Sequence, residues 1–546
     1  MKTWKTNLEE TKQRYINWWN HKGIILSMWE HFQEGVKPHA DIAPPAPARD
    51  LSQKWFDPQW RAEYLDWYVA HSSLMADMLP VANTQLGPGS LAAILGGVFE
   101  GGEDTIWIHP DPNFNDEIVF NPEHPNWLLH KELLKACKAK ANGNYFVGMP
   151  DLMEGLDVLA ALKGTDMVLL DTVMQPEVLE QQMQQINDIY FKVFDELYDI
   201  IREGDEMAFC YFSSWAPGKM SKLQSDISTM ISQDDYRRFV QPFIREQCQK
   251  IDYTLYHLDG VGAMHHLPAL LEIEELNAIQ WTPGVGEPQG GSPKWYDLYK
   301  KILAGGKSVM ACWVTLEELK PLLDHIGADG VHLEMDFHNE REVEQAMRII
   351  EEYTGSSSSV SADVHTNQPV GEQDNAQESI RIREEKSQEE DRMKPLYDAI
   401  VAGKLEPAVE VTKDAIAAGV LPQDIINGYM ITAMGEVGQR FQDGKAFVPQ
   451  LLMAGRAMKG ALELLKPLLA GNASATIGKI VIGTVKGDLH DIGKNLVASM
   501  LEGCGFEVIN IGIDVTCDKF VEAVKENKAD ILCMSALLTT TMTYMQ

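Results

Sequence analysis

Residues 1–354 alternate short apolar runs with longer amphipathic stretches. The stretches between most of the runs have helical periodicity, as in residues 175–204. Eight of the apolar runs have the length of strands: 81–86, 105–109, 144–150, 207–213, 252–258, 278–282, 308–314 and 330–335. Strands alternating with helices are typical of α/β proteins, and eight such units predict a (β/α)8 TIM barrel.

A different pattern follows. Residues 355–392 are serine-rich and then charged, with almost no large apolar side chains, which predicts a flexible linker. Residues 393–470 have a helical pattern throughout and predict a small four-helix bundle as a cap domain. One of its helices has an apolar face formed by Ile426, Met430, Met434, Val437 and Phe441.

The last segment, 471–546, has three apolar runs separated by helical stretches. The runs cover 476–485, 506–513 and 530–537. This βαβαβ order predicts a Rossmann-like domain.

Composition narrows the possible functions. The 546 residues include 80 acidic and 47 basic side chains, a formal net charge of −33. This charge argues against nucleic-acid binding and against anionic membrane surfaces. The N-terminus lacks the apolar stretch of a secretory signal, and we find no apolar run of about 18 residues that would span a bilayer. Seven scattered cysteines without a CxxC pair indicate reduced thiols, so we expect a soluble cytoplasmic protein.

Polar side chains stand at two predicted strand ends, where a barrel carries its chemistry. His257 and Asp259 share one face of the fifth strand, because side chains two apart point the same way. His332 and Glu334 do the same on the eighth strand, and Asp226 follows the fourth. They form either a general acid/base or divalent-metal site, or they cap strands and loops by hydrogen bonds. For Asp226 the alternative is a helix N-cap.

Residues 1–354 resemble the uroporphyrinogen-decarboxylase-like superfamily, which includes barrel methyltransferases. The resemblance rests on three segments: ISQDDYRRFVQPFIREQC (231–248), YHLDG (256–260) and GKSVMACWVTLEELKPLLDHIGADGVHLEM (306–335). In the thiol-methylating members of this superfamily, a His-x-Cys and a later Cys bind zinc. Here Asp259 replaces the first Cys, and Glu334 stands roughly where the later one falls. His257 and these carboxylates form a harder ligand set than one that contains thiolates. Such a set favours oxygen-rich coordination of another divalent metal, or no metal, over zinc.

The Rossmann-like segment contains GDLHDIG, in which Asp488, His490 and Gly493 form the pattern Asp-x-His-x-x-Gly. Ser535 and Leu537 add Ser-x-Leu after the third strand. These motifs follow a helical module in the chain. They resemble the cobalamin-binding signature of methionine synthase and of corrinoid proteins in methyltransferase systems. The resemblance implies that His490 ligates cobalt, with Asp488 holding its other ring nitrogen. Gly493 would leave room for the nucleotide tail of cobalamin, and Ser535 would hydrogen-bond along it.

The helical module resembles the cap over the methyl-bearing face of cobalamin, with Phe441 and Val448 in the shielding positions. The order of barrel and corrinoid module is that of the chloromethane methyltransferases. The resemblance implies a corrinoid-dependent methyltransferase. An acid or metal built from His257, Asp259 and Glu334 would activate a small methylated donor, and reduced cobalamin would take the methyl group. Expected partners are a second methyltransferase that accepts the methyl group and a corrinoid reactivation protein.

Two other functions remain open. The barrel could decarboxylate a porphyrinogen-like substrate, although residues 1–40 contain only Arg14 and so lack an arginine-rich substrate loop. The chain could instead be a non-catalytic corrinoid carrier or sensor, against which the polar strand ends argue.

Only three strands of a Rossmann unit of about five are visible before Gln546. From this we expect a truncated cobalamin domain that holds cobalamin weakly or not at all. Calorimetry with hydroxocobalamin tests this expectation, and tight one-to-one binding would contradict it.

Overall fold

The computed structural model describes residues 3–102, 105–110, 114–284, 286–354, 393–469, 478–488, 492–503, 506–536 and 542–545. The chain divides into two compact units, residues 1–357 and 358–546. We call them the N-terminal unit and the C-terminal unit. Within the described residues, no helix is long and apolar enough to cross a membrane.

The strands of the N-terminal unit are short and mostly parallel. They are β1 (Ile24–Ser27), β2 (Val81–Ala82), β3 (Val98–Gly101), β4 (Ile106–His109), β5 (Phe146–Met149), β6 (Met207–Phe209), β7 (Trp215–Ala216), β8 (Met220–Gln224), β9 (Tyr253–Asp259), β10 (Ala278–Thr282), β11 (Ser308–Val314) and β12 (Val331–Met335). One sheet has the order β1-β12-β11-β10-β9-β8 and is parallel throughout; a second has the order β2-β5-β6-β7.

The closed eight-stranded barrel is not confirmed. Among the described residues no strand ladder joins the six-stranded sheet to the four-stranded one. The predicted strand 105–109 is no barrel strand either, because β4 pairs antiparallel with β3 in a hairpin. The structure shows the coarser class, a mixed α/β unit with parallel sheets.

Two strands of the six-stranded sheet were not predicted. β1 is a run of only four residues, and β8 contains Lys222 and Gln224, which the apolar pattern excludes. All five residues of β8 are nevertheless buried, because the polar side chains of Lys222 and Gln224 have hydrogen-bond partners in Asp151 and Asp226.

Helices pack around these sheets. Their bounds are Leu8–Trp19, Leu51–Phe56, Pro58–His71, Ser90–Ile94, Pro125–Ala141, Gly155–Lys163, Thr165–Met174, Pro176–Ile201, Gln233–Phe239, Gln241–Lys250, Leu267–Leu271, Tyr296–Ala304, Leu316–Ile326 and Glu340–Thr354. Leu316–Ile326 shows why they form. A capping box of Thr315 and Glu318 begins the helix, and an apolar face with Leu319 and Leu323 is buried.

The C-terminal unit begins with a helical module. Its helices cover 393–401, Leu405–Ala417, Pro422–Ile425, Ile431–Gln442 and Val448–Leu469, with a π-helical turn at Ile426–Met430. A buried apolar cluster that includes Leu396, Ile400, Met430, Met458 and Leu465 holds them together.

A parallel sheet follows, with β13 (Lys479–Thr484) between β14 (Glu507–Asn510) and β15 (Ile531–Ser535). Helices Ile492–Gly503 and Cys517–Asn527 connect the strands. Val481, Val485, Val515 and Phe520 form its core. The predicted Rossmann-like arrangement is confirmed over these strands and helices.

Candidate functional site

Three predicted residues come together at the carboxyl ends of β8 and β9. Gln224, the last residue of β8, pairs in register with His257 of β9. Asp259 ends β9, and Asp226 stands two residues beyond β8. The ligand atoms of Asp226, His257 and Asp259 all lie within 4.8 Å of one another. We call these three residues the strand-end cluster.

Asp226 is not a helix N-cap. The N-cap of the short helix Asp226–Met230 is Ser225, and Asp226 accepts a hydrogen bond from Gln224 Nε2 at 3.0 Å. Its backbone N–H and that of Ile227 donate to Asp157 at 2.8 and 3.0 Å. Asp157 therefore fixes the turn that brings Asp226 to the cluster.

The charges of the cluster oppose one another. The side chain of Asp226 is exposed at the surface, yet the protein around its carboxyl, followed by the neighbouring carboxylates of Asp157 and Asp259, raises its pKa well above the usual value. Burial also raises the pKa of Asp259, against the opposing effect of Lys222. Burial, together with Lys222, lowers the pKa of His257 to about 3, so its imidazole is neutral at neutral pH. Two carboxylates and a neutral imidazole are a donor set that binds a divalent cation.

A buried ion pair lies beside the cluster. Lys222 Nζ is 2.6 Å from Asp151 Oδ2, and both side chains are 1% exposed. Lys222 also donates to the Gln224 side chain, which in turn bonds to Asp226. Asp151 and Gln224 thus hold the positive charge of Lys222 close to Asp226.

The predicted pair on the last strand lies elsewhere. His332 is fully buried, bonds to Ser27 Oγ at 2.6 Å and packs edge-on against Tyr15 and Trp18. Burial raises the pKa of Glu334 to about 8, against the opposing effect of the neighbouring Cys312 thiol, and among the described residues neither oxygen of Glu334 has a hydrogen-bond partner. Within the described residues, the group of potential ligands contains neither His332 nor Glu334.

Sequence reasoning missed the aromatic side chains next to His257. The ring centroids of Tyr211 and Phe212 lie 6.4 and 5.8 Å from that of His257, and Trp29 packs on both at 4.4 and 4.8 Å. Trp313 stacks on Trp29 at 5.9 Å. We call Trp29, Tyr211, Phe212 and Trp313 the aromatic cluster.

The backbone of the aromatic cluster is strained at two positions. Phe212 and Trp313 have φ of 61° and 55°, a region that bulky side chains rarely adopt. Such strain concentrates at functional sites. The sequence gives no sign of it, since φ is set here by a short turn after β6 and by an irregularity in the pairing of β11 with β12.

In the C-terminal unit, two predicted residues lie at the carboxyl edge of the sheet. The Asp488 side chain is fully buried, and its backbone N–H donates to Val485 O at 3.1 Å. Ser535 pairs with Thr484 across β13 and β15, and its carbonyl accepts from Val485 N at 3.0 Å. This edge is where open α/β sheets bind ligands, and a buried carboxylate there suits the second nitrogen of a metal-bound imidazole.

The structure describes three of the five other predicted residues of this unit. Gly493 is the second residue of helix Ile492–Gly503. Phe441 is 44% exposed, whereas Val448 is buried. His490 and Leu537 lie outside the described residues.

Comparison with known proteins concerns the C-terminal unit. Residues 393–466 and 478–546 each match a family model described as a B12 binding domain. The chain is 46% identical over 147 residues to trimethylamine corrinoid protein 1 of Methanosarcina mazei, covering 27% of this chain and 68% of that protein.

Two solved structures match a similar share of the chain. A cobalamin-binding protein from Desulfitobacterium hafniense is 34% identical, covering 28% of this chain and 72% of that one, with a TM-score of 0.25. The methanol:cobalamin methyltransferase complex from Methanosarcina barkeri is 32% identical, covering 31% and 66%, with a TM-score of 0.26.

Proposed function

Because this chain belongs, through residues 393–546, to the family of B12-binding corrinoid proteins, we propose that it is a corrinoid-dependent methyltransferase. Cobalamin is the cofactor of the C-terminal unit. The N-terminal unit binds a small methylated donor. The methyl group of this donor passes to the cobalamin of the same chain. The observation that carries this proposal is the strand-end cluster, a potential acid or metal site on the chain that carries cobalamin.

The strand-end cluster activates the leaving group of the donor. His257 through Nε2, with the carboxylates of Asp226 and Asp259, would hold zinc or another divalent cation, which would supply Lewis-acid polarisation of the leaving atom. Without a metal, a carboxyl of raised pKa donates a proton to that atom. Glu334 lies behind the strand-end cluster and acts on it indirectly, through Cys312.

In the C-terminal unit, His490 would hold the cobalt of cobalamin, and Asp488 would hold and polarise its imidazole. Ser535, Gly493 and Leu537 would accommodate the nucleotide tail. When bound, reduced cobalamin supplies the nucleophile that accepts the methyl group.

Phe441 and Val448 would shield the bound cofactor from water. The exposed side chain of Phe441 has the apolar surface this requires.

The domain organisation follows from this function. Residues 1–354 form a methyltransferase domain related to the uroporphyrinogen-decarboxylase-like barrels, and 355–392 link it to the cap (393–470) and cobalamin (471–546) domains. The tether keeps the cofactor at high effective concentration near the donor site. A second methyltransferase and a reactivation protein complete the cycle.

The test uses the full chain loaded with cobalamin and reduced. Trimethylamine, dimethylamine, methanol, chloromethane and methoxybenzene are added one at a time, and the visible spectrum of the corrinoid is followed. We expect one donor class to change the spectrum. Asp259→Ala should abolish this change, while cobalamin binding stays native because it belongs to the other unit. A spectrum that changes equally in Asp259→Ala contradicts the role of the cluster.

The alternatives give other results. A corrinoid carrier responds to no donor until a separate methyltransferase is added. A decarboxylase releases carbon dioxide from a porphyrinogen and needs no cobalamin.

A further inference from the structure

Gln280 connects the strand-end cluster to the strands behind it. It is completely buried in β10, in register with His257 of β9. Its carbonyl Oε1 contacts His257 Nδ1 at hydrogen-bond distance. Its Nε2 donates to Thr282 Oγ1 at 2.7 Å and to Cys312 Sγ at 3.0 Å. Both N–H groups and the carbonyl of this amide are therefore engaged.

The orientation of the amide follows from its partners on the two sides. The sulfur of Cys312 and the hydroxyl oxygen of Thr282 each accept one of the N–H groups of Gln280 Nε2. With both N–H groups on that side, the carbonyl of Gln280 faces His257 Nδ1.

Resting on the proposed function of the cluster, we propose that Gln280 is a positioning residue that keeps the proton of His257 on Nδ1. Nε2 then presents its lone pair to the space between Asp226 and Asp259. Thr282 and Cys312 act through Gln280 by holding its amide in this orientation.

The tautomer decides what the cluster can bind. A neutral imidazole carries one N–H and one lone pair. With the proton on Nε2, the ring could donate to the two carboxylates but could not ligate a cation between them. The hydrogen bond to the remote nitrogen commonly fixes which nitrogen ligates, and its loss costs roughly 10–100-fold in metal affinity.

The first test measures zinc affinity of the full chain by competition with a chelating dye. We compare Gln280→Leu, which removes the acceptor, with Gln280→Glu, which keeps one. Gln247→Leu is the matched control. Gln247 is also buried, and its amide donates to Asn187 at 2.9 Å. It lies on helix Gln241–Lys250, which contributes no residue to the cluster. Gln280→Leu should lose roughly 10–100-fold, and Gln280→Glu and the control should stay near the native affinity.

The second test reads the tautomer without a metal. The chain is labelled with 15N at its 15 histidines, and His257 is assigned by comparison with His257→Ala. The native ring should show the Nδ1–H pattern, which Gln280→Glu keeps and Gln280→Leu loses. An unchanged tautomer in folded Gln280→Leu overturns the proposal, whatever the zinc affinity. A native chain that binds no zinc, but whose tautomer shifts in Gln280→Leu, refutes the metal and leaves the role of Gln280 supported.

Discussion

Lys222 is a buried lysine within strand β8. Removing its charge leaves Asp151 buried without a counter-charge. Lys222→Met should therefore lower the free energy of unfolding of the N-terminal unit by about 3–5 kcal/mol. Urea denaturation followed by tryptophan fluorescence measures this.

The control for Lys222→Met is Lys250→Met. Lys250 pairs with Glu246 at 2.6 Å on the surface, where its side chain is 51% exposed, so we expect a loss of roughly 1 kcal/mol or less. Equal losses in the two variants would contradict the burial argument. The double variant Lys222→Met/Asp151→Leu should regain much of the lost stability.

At the scale of single residues, the sequence predicted part of the strand-end cluster. The spacing of His257 and Asp259 on one strand was enough to place both at its carboxyl end. Gln280 and Lys222 were missed because His257 and Asp151, which bond to them, lie far from them in the sequence. The one available signal was a polar residue inside an otherwise apolar strand.

Helix Leu316–Ile326 illustrates the scale of single elements. Thr315 is exposed, and with Glu318 it forms the capping box that satisfies the first N–H groups of the helix. Thr315→Ala should cost about 1 kcal/mol of the free energy of unfolding, because the cap is lost without creating a cavity. Thr315→Ser keeps the hydroxyl and should stay within a few tenths of a kcal/mol of native in the same urea titration. Equal losses for Ala and Ser would show that the hydroxyl does not cap.

Apolar runs located most elements but not their pairing. The run at 105–109 became β4, yet its partner is the neighbouring β3 rather than a barrel strand. β8 was missed because a strand whose inward side chains include lysine and glutamine lacks the apolar alternation used to find strands.

For the whole N-terminal unit, buried histidines predict sensitivity to acid. Burial lowers the pKa of His31 and His130 to about 4 and that of His332 to about 3, against 6.5 in the unfolded chain. Below pH 6.5 the unfolded state takes up protons that the folded state refuses. Their contribution to stability is thus complete above pH 6.5 and falls as pH drops towards 4, by roughly 3 kcal/mol each at most.

The check is His130→Leu, followed by urea denaturation between pH 7 and 4. Relative to the native chain, the variant should gain stability as the pH falls, because it no longer carries this proton-binding site. A stability difference that stays constant with pH would contradict a neutral, buried His130.

The arrangement of the sheets was the least predictable feature. β2 and β7 have two residues each, so their ladders are set by distant packing rather than by local pattern. The C-terminal unit was easier, because its strands are connected by short crossovers and its motif sits directly after β13.

The side chains around His257 are carried by three neighbouring strands, with Gln224, His257 and Gln280 side by side in register. Most of the aromatic cluster, in contrast, belongs to irregular segments that follow strands. The side chains bonded to His257 and most of the aromatic cluster are therefore encoded in separable parts of the gene. Under the proposed function, drift in the irregular segments would reshape the surroundings of His257 while the strands keep its partners. For directed evolution, the same division marks codons 29, 211 and 212 for randomisation and the codons of β8 to β10 for protection.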